Sequence, residues 1–255
     1  MACTKSSCRD PSHPHHLPNL RADGQPPHPS WLPRQRRGTT PQMIGRYPDY
    51  DVFDASSTWD DATAAVIEAR MAIRSGGPLG FFSEKEAPTL RAFCDTCVAN
   101  DAEPRVPVAE LIDDRLARGL LDGYQYADMP DDGETWHVVL AALDEAARAT
   151  YGLESFSALP ASSAEAVVDK LSKGELGPGG VAPGRLDGRR AWSVCMRMIL
   201  SAFYSHPWAW NEIGFGGPAY PRGFMRLGPL STREPFERPG ATSEDPVRLA
   251  SELGG

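Results

Sequence analysis

The chain has 255 residues, 41% of them hydrophobic and 24% charged, with a net charge of −8. That length can bury a real core in one large domain or two small ones, and the acidic balance excludes a nucleic-acid footprint over the folded part, because phosphate binding needs a basic face. No apolar run reaches the ~18 residues that a membrane-spanning helix requires.

Charge is unevenly spread. Residues 1–46 carry seven Lys/Arg against two Asp/Glu, about +5, and the remainder about −13. The same segment holds eight of the 24 prolines and four of the six histidines. It has too little apolar surface to offset its chain entropy, so it is expected to be a disordered basic tail. His13, His15 and His16 could at most hold a metal adventitiously. The "RQRR" run at Arg34–Arg37 is followed by "GTTPQMIG" rather than by an apolar stretch, so export by a twin-arginine signal of its own is not expected. Met43 would also serve as a start for the folded region. The organisation expected is a tail over 1–46, a helical domain over 47–230 and an irregular C-terminal tail over 231–255.

Helical patterns follow in order. "TWDDATAAVIEARMAIRSGG" opens on an N-cap candidate, Thr58, has Asp60 and Asp61 in its first turn and stops at Gly76-Gly77. "SEKEAPTLRAFCDTCVAND" opens with the capping box Ser83-x-x-Glu86 and carries Leu90, Phe93, Cys94 and Cys97 at helical spacing. "VPVAELIDDRLARG" has Pro107 near its start, apolar Val108, Leu111, Ile112 and Leu116, and a stop at Gly119. The stretch "QYADMPDDGE" lacks the acid order of a calcium loop, and reads as a turn with Asp131 or Asp132 capping the next helix. That helix aligns Trp136, Val139, Leu140, Leu143, Ala147 and Tyr151 on one stripe. A second capping box, Ser162 with Glu165, precedes Val167, Val168 and Leu171. After the loop "GPGGVAPGRLDG" comes "RRAWSVCMRMILSAFYSHP", whose apolar residues run from Trp192 to Phe203 with Arg197 and Ser201 between them. Such a helix belongs at the centre of a bundle. No segment alternates at period two, so the fold expected is mostly α, an irregular bundle of about six helices, with a Gly/Pro-rich region from Pro207 onward that lacks regular structure.

Motifs for catalysis by the chain itself are missing. There is no dinucleotide-binding glycine motif after a strand, no P-loop, no G-x-S-x-G and no H-E-x-x-H. "CDTC" at Cys94–Cys97 has no flanking βαβ pattern, so two thiols on a helix are the simpler reading than a redox pair. Two histidines, His137 and His206, remain for the folded part. His206 with Glu212 could form an acid–base or metal-assisted site, joined by Cys94 or Cys97; alternatively His206 caps the C-terminal end of its helix, where a cation suits the dipole and Pro207 ends the run.

The densest feature is "FYSHPWAWNEIGFGGPAYPRG", Phe203–Gly223, with two tryptophans and four glycines. It is either a buried corner or a surface that a second protein reads. Aromatics in a Gly/Pro loop supply contact area at low entropy cost, so Trp208, Trp210, Phe215 and Tyr220 are candidate anchors for a partner, headed by His206 and rimmed by Asn211, Glu212 and Arg222.

Phe203, Tyr204, the His206-Pro207 step, and then Ile213, Gly214, Gly217 and Pro218, following the capped "FFSEKEAPTLRAFCDTCVAND" and "PRVPVAELIDDRLARG", resemble the gluconate 2-dehydrogenase subunit 3 family over roughly Pro48–Leu227. The resemblance implies a small accessory subunit, without cofactor of its own, that stabilises or matures a larger glucose-methanol-choline (GMC) type flavoprotein holding FAD. Many members carry a twin-arginine signal; its absence here implies a cytoplasmic complex, with a periplasmic or exported one as the alternative.

Overall fold

The computed structural model describes residues 51–100, 105–123, 126–176, 186–213, 215–220 and 223. The basic tail and the segment from 231 onward lie outside the described residues. Helices make up the described part, with no strand among them: α1 (Asp61–Ala72), α2 (Ala87–Val98), α3 (Val108–Ala117), α4 (Asp132–Tyr151), α5 (Ala161–Lys173), α6 (Gly188–Tyr204) and α7 (Pro207–Ile213), with 3-10 segments at Val52–Thr58 and Phe156–Ala158. The helical class is as expected, with one helix more than the sequence pattern suggests: α7 falls in the stretch expected to be irregular.

The chain divides into two compact units. One takes its described residues from 51–72, 105–106 and 204–223, the other from 73–100 and 107–203. In the second unit α2 lies against α3, α4, α5 and the 3-10 segment at Phe156. Phe93 of α2 is the hub, with edge contacts to Trp136 at 6.0 Å and Phe156 at 6.4 Å and a tilted contact to Trp192 at 6.5 Å between ring centroids. Leu140, Leu143, Leu171, Cys195 and Ile199 complete a dry core. Asp144 reaches into its edge, where one carboxylate oxygen accepts from Thr89 Oγ1 at 2.7 Å and from the Phe156 N–H at 2.8 Å.

Helix ends follow local chemistry where side chains reach it. The box at α2 forms: the Ser83 N–H donates to Glu86 Oε2 at 2.9 Å, and the Glu86 N–H to Ser83 Oγ at 3.4 Å. Asp131 caps α4 by accepting from the Glu134 N–H at 2.7 Å. At α1 the cap is Asp60, which accepts from the Thr63 N–H at 2.9 Å, while Thr58 ends the preceding 3-10 segment. The second box does not form, because α5 starts at Ala161 after Pro160 and Ser162 already lies inside the helix. Helix α6 is not buried all round. Ala191, Val194, Cys195, Met198 and Ile199 face the interior at helical spacing, whereas Leu200 and Tyr204 are exposed, so it is an amphipathic flank rather than a central rod. Tyr151, the last residue of the α4 stripe, is also exposed.

Two buried acids one turn apart on α3 organise the loop from Gly76 to Phe82. Glu110 Oε1 accepts from the Gly76 N–H at 2.9 Å and from Arg91 Nε at 2.8 Å, and Arg91 Nη2 donates onward to Gly77 O at 2.6 Å. Asp113, 4% exposed, accepts three consecutive main-chain N–H groups, those of Gly80 at 2.7 Å, Phe81 at 3.0 Å and Phe82 at 2.9 Å. The loop thereby sets two phenyl rings over the start of α4: Phe82 meets Trp136 edge-on at 6.1 Å, and Phe81 stacks on His137 at 5.1 Å. A Cβ at Gly133 would come within 2.7 Å of the Phe81 ring, so the ring needs the glycine.

Asp113→Ala strands three N–H groups at once. At about 1–3 kcal/mol for each buried group left without a partner, it is expected to cost about 3 kcal/mol or more, read as a lower urea midpoint with an unchanged slope. Asp113→Asn, which keeps one acceptor oxygen, is expected to lose less; equal losses would show that the hydrogen bonds are not what holds the loop.

Candidate functional site

Every residue proposed from sequence as a partner contact belongs to the first unit, whose core is small. Val52, Ile67 and Trp210 are buried together, with Phe53, Trp59 and Phe215 packed on them. Helix α7 has seven residues, too few to persist on propensity alone, and tertiary bonds hold it. Trp210 Nε1 donates to Tyr204 O at 2.6 Å, and Asn211 Oδ1 accepts from the Val52 N–H at 2.8 Å across 159 residues of chain. Asp51, which caps the 3-10 segment by accepting from the Phe53 N–H at 3.0 Å, also lies 3.4 Å from Asn211 Nδ2. The start of the described chain is thus stitched to the helix that follows the His-Pro step.

His206 opens α7 rather than closing α6. Its Nδ1 accepts from the Trp208 N–H at 3.2 Å, and its carbonyl accepts from the Ala209 and Trp210 N–H groups at 3.0 and 3.3 Å. Pro207 then takes the first helical position, where its missing N–H costs nothing. The C-terminal cap expected from sequence is corrected to an N-terminal one. With the ring 1% exposed and one nitrogen given to the main chain, His206 is not presented to a substrate. Cys94 and Cys97 belong to the other unit, and the Glu212 side chain lies outside the described residues. No group of three His, Cys, Asp or Glu among them is placed to hold a metal ion.

The remaining candidates separate by depth. Trp210 is 5% exposed and Asn211 2%, so the residue expected on a polar rim is a buried clasp. Trp208 and Phe215 are half-buried, Trp208 meeting His206 edge-on at 5.0 Å and Phe215 meeting Trp210 at 5.9 Å. The Trp208 indole N–H is buried with no acceptor among the described residues. Tyr220 stands out at 67% exposed. Arg222 lies outside the described residues. Close packing fixes the turn between: Gly217 sits at φ +77°, and a Cβ there would meet Val52 Cγ2 at 2.7 Å. The stretch is therefore mixed: His206, Pro207, Ala209, Trp210, Asn211, Gly216 and Gly217 are buried, Trp208 and Phe215 half-buried, and Tyr204 and Tyr220 exposed.

Sequence reasoning located α1 as a helix but gave it no part in the site. Ala62, Thr63, Val66, Ile67 and Arg70 form one side of a cavity of about 460 Å³, with Trp210, Phe215, Pro218 and Tyr220 opposite. A signal was present in Val66 and Arg70, one turn apart on a helix whose weak apolar stripe leaves a hydrophobic residue outside the core.

Of the thiols of the second unit, Cys94 and Cys195 are buried and Cys97 is half-buried. Burial pushes those of Cys94 and Cys195 far above the ordinary range, with the neighbouring Cys97 adding to both, and burial also raises Cys97. All three are free thiols rather than thiolates at neutral pH.

The family model for gluconate 2-dehydrogenase subunit 3 matches residues 84–217, just over half of the chain. No curated protein and no solved structure matches it.

Asn211→Ala leaves the Val52 N–H buried without an acceptor and is expected to cost the first unit about 1–3 kcal/mol. Hydrogen exchange would show it as faster exchange at Val52 and in α7, with the amides of α4 unchanged; protection at Val52 equal to that of the unaltered chain would remove Asn211 as the clasp. In a chain with Cys3 and Cys8 replaced by serine, a thiol reagent at pH 8 is expected to label Cys94 and Cys195 only after denaturant is added. Rapid labelling of the folded chain at either would contradict their burial.

Proposed function

Because this chain belongs to the gluconate 2-dehydrogenase subunit 3 family, we propose that it is the non-catalytic small subunit of an FAD-dependent GMC-type sugar or alcohol dehydrogenase, which it binds and stabilises or matures. The observation that carries this reading is the family match itself, which describes a subunit and so implies a partner subunit. One feature of the chain supports it: half-buried Phe215 and exposed Tyr220 offer aromatic contact area of the kind that anchors a second protein. No helix among the described residues is long and apolar enough to cross a membrane.

On this reading the FAD belongs to the partner, and the chain contributes binding energy and order. The partner-facing candidates divide into Trp208, Phe215, Tyr220 and Arg222, which would touch the flavoprotein, and His206, Trp210 and Asn211, which hold their frame; Glu212 is proposed with the first group. A cytoplasmic complex is the proposed location.

Mild affinity purification of the full chain from its native host, with mass spectrometry and a visible absorbance scan, tests the proposal. The expected result is a stoichiometric, larger, yellow partner whose spectrum is that of a bound flavin. A colourless, solitary chain would overturn it.

A further inference from the structure

The cavity of the first unit is an open groove with Arg70 as its one lining charge and no Asp or Glu in its lining. Val66, half-exposed on α1, and Tyr220 stand at its mouth, while Ile67, Trp210 and Phe215 make its apolar walls. Its volume of about 460 Å³ accommodates a large side chain. Arg70 Nη1 donates to Ser205 O at 3.2 Å, its one hydrogen bond among the described residues, and burial lowers its pKa. A guanidinium has five N–H donors in a planar fork that matches a carboxylate. A partly desolvated cation between apolar walls therefore favours a carboxylate that arrives with apolar surface attached.

The chain carries such a group close at hand. Tyr220 lines the groove, and just past it the Gly223 N–H donates to Ala219 O at 2.5 Å with Gly223 at φ +74°, so the chain turns back at the mouth of the groove instead of running away from it. Residues 224–255 lie outside the described residues. Their sequence holds two aromatics, Phe224 and Phe236. Phe224 stands between Arg222 and Arg226, whereas Phe236 stands between Glu234 and Glu237 in "REPFER". Pro235 disfavours helical backbone at Glu234, and an extended run sets residues two apart on one side. That register would put the Glu234 carboxylate beside the Phe236 ring and Glu237 on the opposite side.

We propose that the chain fills this groove with its own residues 234–236: Phe236 packs on Val66, Ile67, Trp210 and Phe215, and Glu234 pairs with Arg70. The run from Gly223 to Glu234, at about 3.3 Å per residue when extended, spans far more than a groove of this volume. Tethering holds the segment at an effective concentration in the millimolar range, whereas a segment of another molecule pays the translational and rotational cost of association. Asp245-Pro246-Val247 repeats the order of acid, proline and apolar residue, but valine brings far less surface than a phenyl ring and closes a longer loop. The inference does not depend on the accessory-subunit reading; together with it, Phe236 becomes part of the surface that Phe215 and Tyr220 offer to the flavoprotein.

The test places the photoreactive residue benzoylphenylalanine at Val66 in the full chain, irradiates it, and maps the product by mass spectrometry, with monomer mass on a denaturing gel marking a cross-link within one chain. The expected product joins Val66 to a peptide of the same chain that contains Phe236. Phe236→Ala and Glu234→Gln are each expected to lower the yield about fivefold or more, Glu237→Gln to leave it within about twofold, and Arg70→Gln to abolish the further effect of Glu234→Gln, as coupling between paired groups requires. Circular dichroism is expected to be unchanged in all four variants. A cross-link to a second copy or to residues 224–232 or 239–255, the absence of any cross-link, or a yield indifferent to Phe236→Ala and Glu234→Gln would overturn the assignment. A cross-link from Val66 to the flavoprotein would overturn it too while leaving the accessory-subunit reading in place, and the absence of a flavoprotein partner has no bearing on a cross-link within the chain, so the two readings fail separately.

Discussion

A single carboxylate, that of Asp113, decides how the second unit is assembled. Three successive main-chain N–H groups point at it from a loop of glycines, proline and phenylalanines that has no regular structure to satisfy them. Since those groups are fixed, the side chains that follow them are fixed too, and the two phenyl rings land on the first turn of α4. The next residues close the capping box of α2, whose Glu86 reaches back across to His137 with Oε1 2.5 Å from Nδ1. A polar anchor on α3, an aromatic lid on α4 and the start of α2 are therefore one connected arrangement, and the core around Phe93 is built on elements it positions.

How much of this was legible depends on the range of the interaction. The Ser83-x-x-Glu86 box forms because both partners are local and nothing competes for them. The similar Ser162 and Glu165 pair does not, because Pro160 sets the chain direction one residue earlier and draws Ser162 into the helix. Apolar spacing located α2 to α6, but it overstated the burial of α6, since a run of hydrophobic residues does not say which of them will find a neighbour. Nothing in their local sequence sets Glu110 and Asp113 apart from the other acids of α3. What marked them otherwise was the glycine-rich run nearby, with main-chain donors and few acceptors, and that is a matter of tertiary pairing.

The candidate site was half legible for a similar reason. Aromatic density located it, and the glycines signalled a tight turn, which Gly217 supplies. What sequence could not supply was the partner of Asn211, the N–H of Val52, separated by 159 residues. With that partner unknown, α7 looked too short and too broken to be a helix, and Asn211 looked like a surface residue. The opposite wall of the groove, on α1, was hidden because it lies in a different part of the chain from the motif that drew attention.

That long-range clasp has a practical meaning for anyone who shortens the chain. The span shared with the family begins at residue 84, and trimming to it is the natural first choice for producing a minimal fragment. Such a fragment would keep Trp210, Asn211 and Gly217 while discarding Asp51, Val52 and all of α1, the residues that cover them. Its shared portion would then present an indole face and an unanswered amide to solvent, and would behave as sticky or poorly folded for reasons unrelated to its biology. The boundary of family likeness and the boundary of a stable folding unit are different places in this chain.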